Sequence, residues 1–450
     1  MTAPSLRSLL FLFVLCTSLA ARALGAESPK LPPSQPPNII LIISDDQGFG
    51  DYGFMGHPHV RTPNIDRMAA QSLLYTRGYV MPVCSPSLAC LLTGKMPHQN
   101  GITGNDLSKA QLAIRAKGTE RAPLVERLLG NETLLPNALT KAGYRTLQTG
   151  KLWNVVYQDV GFTDGMTDKT GRHGGGGLDI GRKTMQPIYD FIEQSQAEKK
   201  PFFVWYAPMM PHDPHTPPAQ FLEHYQGKGL SPKAEKYYGM VEWFDQTCGE
   251  LDNYLQSHHL AENTVILYLT DNGWDADRGY QGDRAKLSPY ELGIRTPMFV
   301  RWPGKVAPVR DDETLASILD FVPTILGVSG ARDIPSLPGL NLLDKRAMQA
   351  RKTVHVEAYT HDIEDLNDPS KSLLATVTIN GWFKLITPTG LRDEKRAFAG
   401  VPSQSALFDL QKDPLEKSDL SQELPQEVQR LQGLQDAAWN PRAVASRGAR

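Results

Sequence analysis

Two acidic pairs give the first hint of chemistry in this chain. Asp45-Asp46 follows the apolar run N-I-I-L-I-I-S (Asn38 to Ser44), and Asp271-Asn272 follows T-V-I-L-Y-L-T (Thr264 to Thr270). Their oxygens are hard ligands, and carboxylates gathered in one cleft repel each other unless a divalent cation sits among them. All-oxygen ligation favours Ca²⁺ or Mg²⁺ over Zn²⁺. The plainer alternative is that each Asp caps the turn or helix after it. A third stretch, V-C-S-P-S-L-A-C-L-L-T-G (Val83 to Gly94), places Cys84 at the head of a segment that reads as a buried helix. A cysteine there is either an inert core thiol or the raw material of a nucleophile.

The elements around these residues decide where they lie. Asn38 to Ser44, Pro201 to Ala207, Thr264 to Thr270 and Thr296 to Trp302 are short, continuous apolar runs rich in β-branched and aromatic residues. Such runs are strands buried on both faces, as in parallel sheets. Helical patterns lie between them at Thr62 to Ser72, Thr133 to Ala142, Gln186 to Gln196 and Pro232 to His258. Alternating strands and helices predict an α/β fold with a mostly parallel central sheet flanked by helices. Ligands bind outside the carboxyl ends of strands in such sheets, where both acidic pairs fall.

Beyond about residue 345 the texture changes. T-V-T-I-N-G-W-F-K-L-I-T (Thr376 to Thr387) reads as a hairpin turning at Asn-Gly, Ser405 to Pro414 as a strand and turn, and Gln422 to Trp439 as an amphipathic helix. This predicts a small C-terminal antiparallel α+β subdomain, 346–450, after a main domain, 38–345. The glycine run G-R-H-G-G-G-G (Gly171 to Gly177) reads as a flexible loop and lacks the Lys and Ser/Thr of a phosphate-binding P-loop.

Composition narrows the function classes. With 450 residues, 21% charged and a formal net charge of -2, the chain is a soluble globular type without the basic excess of a nucleic-acid binder. Residues 1–26 have the order of a secretory signal: Arg7, the apolar run Leu9 to Leu15, then small residues up to Ala26. The run is too short to span a bilayer comfortably, so no stable membrane insertion is expected after cleavage. Leu15 before Cys16 argues against lipid attachment there. Residues 27–37, with K-L-P-P-S-Q-P-P, read as an extended linker. The expected location is exported, periplasmic or secreted. Cys84, Cys90 and Cys248 then remain, an odd number and no disulfide framework.

S-D-D-Q-G-F-G-D-Y-G-F-M-G (44–56) with R-T-P-N-I-D-R-M-A (61–69) resembles the N-terminal signature of the sulfatase family. So do C-S-P-S followed by L-L-T-G, T-G-K (149–151), P-H-D-P-H-T-P-P (211–218), T-D-N-G-W (270–274), K-L-S-P-Y-E-L-G-I-R-T-P (286–297) and L-F-D-L-Q-K-D-P-L-E (407–416). The resemblance runs over roughly residues 37–435 and implies the fold of the alkaline phosphatase superfamily. It also implies release of inorganic sulfate from an aryl or carbohydrate sulfate ester. In sulfatases the cysteine of C-x-P-x-R is oxidised to formylglycine, whose hydrate is the nucleophile. Carried over by position, Asp45, Asp46, Asp271, Asn272 and the modified Cys84 would hold Ca²⁺, with Mg²⁺, Mn²⁺ or Zn²⁺ as lesser candidates. Lys151 and Lys286 would neutralise sulfate oxygens. His212, with His215 as its neighbouring competitor, would bind sulfate or protonate the leaving group.

Three positions depart from the family pattern. Leu88 stands where the motif has Arg, Trp153 where G-K-x-H usually has His, and Asn100 where His is common. The missing Arg is part of what the formylglycine-generating maturation enzyme reads and part of the pocket's support, and Leu offers neither charge nor donor. Three readings stay open at this level: a sulfatase matured despite Leu88, a metal-dependent phosphoester hydrolase with an unmodified Cys84, or a non-catalytic relative that binds sulfated glycans. Tyr157, Trp153 and Trp274 are candidates to line a pocket for the leaving group.

Overall fold

Ile39, Leu41 and Ile43 enter one hydrophobic cluster while Ile40 and Ile42 enter another. The run is therefore apolar at every position because it is the middle strand of a sheet covered on both faces. The computed structural model describes residues 36–115, 122–130, 133–152, 155–168, 174–279, 284–332, 334–391 and 400–441. The signal segment, most of the linker and Trp153 lie outside the described residues.

Strands are numbered along the chain: β1 (Asn38–Ser44), β2 (Leu73–Tyr79), β3 (Asp106–Leu107), β4 (Arg145–Gly150), β5 (Asp164–Gly165), β6 (Phe202–Ala207), β7 (Thr264–Thr270), β8 (Arg295–Arg301), β9 (Val309–Ser317), β10 (Thr353–Tyr359), β11 (Asp362–Ile363), β12 (Leu373–Asn380), β13 (Phe383–Pro388) and β14 (Ala406–Asp409). Eight of them form the central sheet in the order β5-β4-β6-β1-β7-β8-β2-β9. From β5 to β7 every pairing is parallel, and β8 alone runs against its neighbours β7 and β2. The fourth strand expected from sequence is thus the antiparallel one.

One face is covered by helices Pro63–Ala70, Gln186–Ala197 and Pro232–Ser257, whose Ile65, Ile188, Phe191, Met240 and Phe244 join the cluster of Ile40. Helices Cys84–Thr93, Leu135–Lys141 and Phe321–Ser329 cover the other face. The second sheet, β10-β12-β13-β14, is antiparallel and places Val356, Val377 and Ile386 in that same cluster. Helix Pro425–Ala438 packs Leu431 on its outer side with Leu385 and Leu407. The hairpin turns one residue later than its Asn-Gly suggests: Asn380 still pairs with Phe383, and Gly381 and Trp382 make the loop. The described end of the glycine run is a 3-10 turn, Gly175–Asp179. No helix among the described residues is long and apolar enough to cross a membrane.

The topology fixes the site. β1, β4, β6 and β7 are parallel neighbours, so the residues that follow them emerge at one edge. These are Asp45-Asp46, Lys151, the loop to His212, and Asp271-Asn272.

Candidate active site

At the ends of these strands the backbone itself is bent into the site. Asp46 has φ +61, a left-handed conformation that Asp tolerates better than most residues. Its N–H donates to Asp271 Oδ1 at 3.1 Å, which ties the two acidic pairs together. Gly150, at φ +74, lets β4 close on β6: a Cβ there would lie 1.8 Å from the Ala207 carbonyl oxygen, and Lys151 N–H donates to that oxygen at 2.7 Å. T-G-K therefore needs its glycine for a close backbone approach. Cys84 opens a helix that is buried along its whole length, and Pro86 costs it nothing because a first-turn N–H has no helical partner.

The side chains converge. Lys151 Nζ donates to both oxygens of Asp45, at 2.8 and 2.7 Å, and lies 3.5 Å from Asp271 Oδ2. Lys286 Nζ reaches Asp46 Oδ1 at 2.5 Å and Cys84 Sγ at 3.1 Å. The Cys84 thiol donates to Asn272 Oδ1 at 3.2 Å, and Asn272 Nδ2 donates to Asp46 Oδ1 at 2.7 Å. His212 Nδ1 lies 2.6 Å from the Asp213 carbonyl, which can only accept, so that nitrogen carries the proton. Its Nε2 faces Asp46 Oδ2 at 3.5 Å. Thus all eight residues singled out from sequence are buried and adjoin one another.

Burial acts on all of them, and charge decides between them. Burial alone would raise the Asp45 carboxyl, but the Lys151 ammonium, with His212 and Lys286, holds it well below the usual range. Burial, with Asp45 beside it, pushes Asp271 up to about 7. Burial lifts the Cys84 thiol to about 12 against the pull of Lys151 and Lys286. It lowers His212, with Asp46 and Asp45 opposing.

The donor set fits a hard divalent cation. Asp46 Oδ2 and Asp271 Oδ2 are buried and accept no hydrogen bond among the described residues, which is costly unless a cation satisfies them. Asp45, Asp46, Cys84 and His212 each offer an atom within 4.8 Å of the others. Asp271 and Asn272 adjoin that group through Asp46. The thiol is the one soft donor among the oxygens and the imidazole.

The departures have different surroundings. Leu88 is 3% exposed and belongs to the main core. It borders a cavity of about 20 Å³ lined by Ala89, Leu92, Leu124, Leu128 and Val155, with Ser85 and Asn105 as polar members. Asn100 is buried, holding Lys95 O and Ile102 N–H. Trp274 packs beside Tyr237 and His215, and Tyr157 lies against the main core. Asn105 was not legible in advance: its Oδ1 accepts from Ser85 N–H at 3.0 Å and steadies the head of the Cys84 helix, and nothing near it in sequence marks that role.

A mostly parallel sheet thus gathers acids, amines and a cysteine at its carboxyl edge, an arrangement suited to hydrolysis of an anionic ester. The family model described as Sulfatase matches residues 37–331, and one described as N-sulphoglucosamine sulphohydrolase, C-terminal, matches residues 283–436. N-acetylgalactosamine-6-sulfatase of Canis lupus familiaris is 30% identical over 374 residues, 72% of this chain and 68% of that protein. Arylsulfatase A of Homo sapiens is 28% identical over 351 residues, 66% and 65% of the two chains. This chain thus spans about two thirds of the length of these relatives. The crystal structure of a sulfatase from Pseudoalteromonas sp. superposes with a TM-score of 0.68 at 22% identity, over 90% of each chain. The chain belongs to the sulfatase family, and its enzyme class is sulfuric ester hydrolase.

Proposed function

We propose that this site hydrolyses a carbohydrate sulfate ester, with Cys84 matured to formylglycine and Ca²⁺ held by Asp45, Asp46, Asp271 and Asn272. One observation carries the reading: Cys84 Sγ lies against both Lys286 Nζ, at 3.1 Å, and Asn272 Oδ1, at 3.2 Å, at the edge of the acidic cluster. A soft thiol is a poor companion for hard oxygens, and an oxygen at the same position suits them. The acids around Lys151 and Lys286 offset their positive charge, which leaves little to attract a sulfate. A bound divalent cation would add positive charge and lower the cost of bringing an oxyanion to an anionic ester.

The chain's own residues then have distinct tasks. Lys151 and Lys286 bind and orient sulfate oxygens, and their burial keeps water from screening them. The Asp213 carbonyl keeps the His212 proton on Nδ1, so Nε2 is the nitrogen that takes up a second proton and, from the imidazolium, gives it to the leaving oxygen. N-acetylgalactosamine-6-sulfatase, by its name, acts on a sulfated sugar, which supports a glycan as substrate class here. A formylglycine-generating enzyme that tolerates Leu88 is the implied maturation partner. The signal-like order of residues 1–26 supports an exporting pathway that ends in the periplasm or outside the cell. The test is release of inorganic sulfate from a panel of sulfated saccharides by full-length protein co-expressed with that enzyme. Release that needs Ca²⁺ and disappears in Cys84→Ala is expected; none from any sugar or aryl sulfate overturns the reading.

A further inference from the structure

The lysine that touches Cys84 sits on a loop tied at both ends to two residues of the C-terminal sheet region. Arg284 Nη1 donates to the carbonyls of Leu415 and Glu416 before Lys286, and its guanidinium lies 4.3 Å from the Tyr290 ring. After Lys286, the Glu291 N–H donates to Glu416 Oε2 at 2.6 Å. Between these ties, Leu287 N–H donates to Pro82 O at 2.7 Å, two residues before Cys84. Leu287 and Glu416 have φ +71 and +54, left-handed conformations that persist in such residues only where the surroundings impose them.

The tie is an ionic one in a buried place. Lys384, on β13, lies 3.1 Å from Glu291 Oε1 and 2.7 Å from Glu416 Oε1. All three side chains are at most 2% exposed. Tyr79 Oη and Arg295 add further contacts to Glu291 at 3.3 and 3.6 Å. A buried charge cluster of this kind is poor evidence for stability against an apolar packing of equal volume. What it does provide is a fixed register between β13, the 413–416 turn and the loop of Lys286.

We propose that Glu416 is a positioning residue for Lys286: its carboxylate and carbonyl, with Arg284, hold the 284–291 loop so that Nζ reaches Asp46 and Cys84 together. For catalysis this rests on the sulfatase reading, but the positioning itself does not. The C-terminal subdomain thereby takes part in the site without offering a group to the substrate.

The test uses the full chain and two variants. Glu416→Gln keeps an acceptor for the Glu291 N–H and removes the charge, while Arg284→Ala cuts the other tie at a half-buried residue and guards against a failure of the first to fold. Amines are acetylated under native conditions with an N-hydroxysuccinimide ester, and labelling of Lys286 and Lys151 is read by mass spectrometry. Lys151 is equally buried, on another loop, and serves as the internal control. The expected result is Lys286 labelling up by about tenfold, the scale of losing one charge-assisted contact, with Lys151 unchanged. Protection of Lys286 in the folded variants, or an equal rise at Lys151, overturns the proposal. Turnover adds a separate arm: Glu416→Gln lowers kcat/KM in the parent but adds nothing in a Lys286→Ala background, whereas a merely structural effect multiplies in both. A parent without sulfatase activity would sink the functional reading and leave the labelling result standing.

Discussion

Lys286 and Cys84 are 202 positions apart in sequence, yet the amine lies 3.1 Å from the sulfur. The same amine contacts Asp46, so one ammonium group bridges the cysteine and the acidic cluster. Lys286→Ala removes both contacts and leaves a less positive site for an anionic ester. Under the sulfatase reading its kcat/KM falls by roughly 10²–10³, the usual scale for one preorganised electrostatic contact. Steady-state kinetics on any sulfate ester that the parent hydrolyses checks this.

Asp46 Oδ2 and Asp271 Oδ2 accept no hydrogen bond among the described residues, so the proposed cation would stabilise the fold as well as serve catalysis. Ca²⁺ should raise the unfolding temperature, and a chelator should lower it. Free cation at a hundred times its Kd corresponds to about 2.7 kcal/mol of added stability. In Asp46→Asn the shift should shrink to near zero. Thermal melts of both proteins over a calcium titration decide it; an equal shift in the variant would point to a different site.

Restoring the family's arginine is expected to harm this protein. The wall beside Leu88 includes Ala89, Leu92, Leu124, Leu128 and Val155, and among the described residues only Ser85 and Asn105 offer polar side chains there to meet a guanidinium. Burying that charge without a matched partner should cost about 3 kcal/mol or more, whereas Leu88→Met should cost less than about 1.5 kcal/mol. Urea unfolding of the two variants gives the comparison, and a Leu88→Arg protein as stable as the parent would refute it.

Asp51 supplies a pH dependence away from the proposed metal ligands. Burial lifts its carboxyl from the ordinary 3.8 to about 7, despite hydrogen bonds from Tyr237 and Gly48. An acid raised in the folded state holds a proton that the unfolded chain has released. Its contribution to stability is full below about pH 4 and lost as pH rises through about 7. Asp51→Asn keeps an acceptor for both donors and removes the titration. The parent should therefore lose stability relative to the variant between pH 4.5 and 8, on the order of a few kcal/mol. Chemical denaturation at the two pH values measures it.

Much of this arrangement can be read from the chain, and the unread parts have physical reasons. β1 and β7 are apolar at every position because both their faces are covered, so their bounds are evident. β4 is as deeply buried but reads R-T-L-Q-T-G, since Thr146, Gln148 and Thr149 bond to neighbours inside the sheet. β9 is an edge strand, and V-R-D-D-E carries the charges that keep such edges from pairing with other chains. The acids, lysines and His212 are legible through motifs; Glu416 and Glu291 lie in quoted motifs too, but their contact, like that of Asn105 with Ser85, joins separate elements and cannot be read from either stretch alone. Leu88 is visible in the sequence, but the apolar wall it completes comes from four separate segments.

The central claim is that Cys84 does not remain a thiol. The most direct test is the mass of the tryptic peptide Gly78 to Lys95, taken from full-length protein expressed aerobically with a formylglycine-generating enzyme. The account predicts the aldehyde in place of one thiol, localised by fragmentation to Cys84, with Cys90 unchanged. An intact Cys84 thiol in protein that nonetheless hydrolyses sulfate or phosphate esters would contradict it.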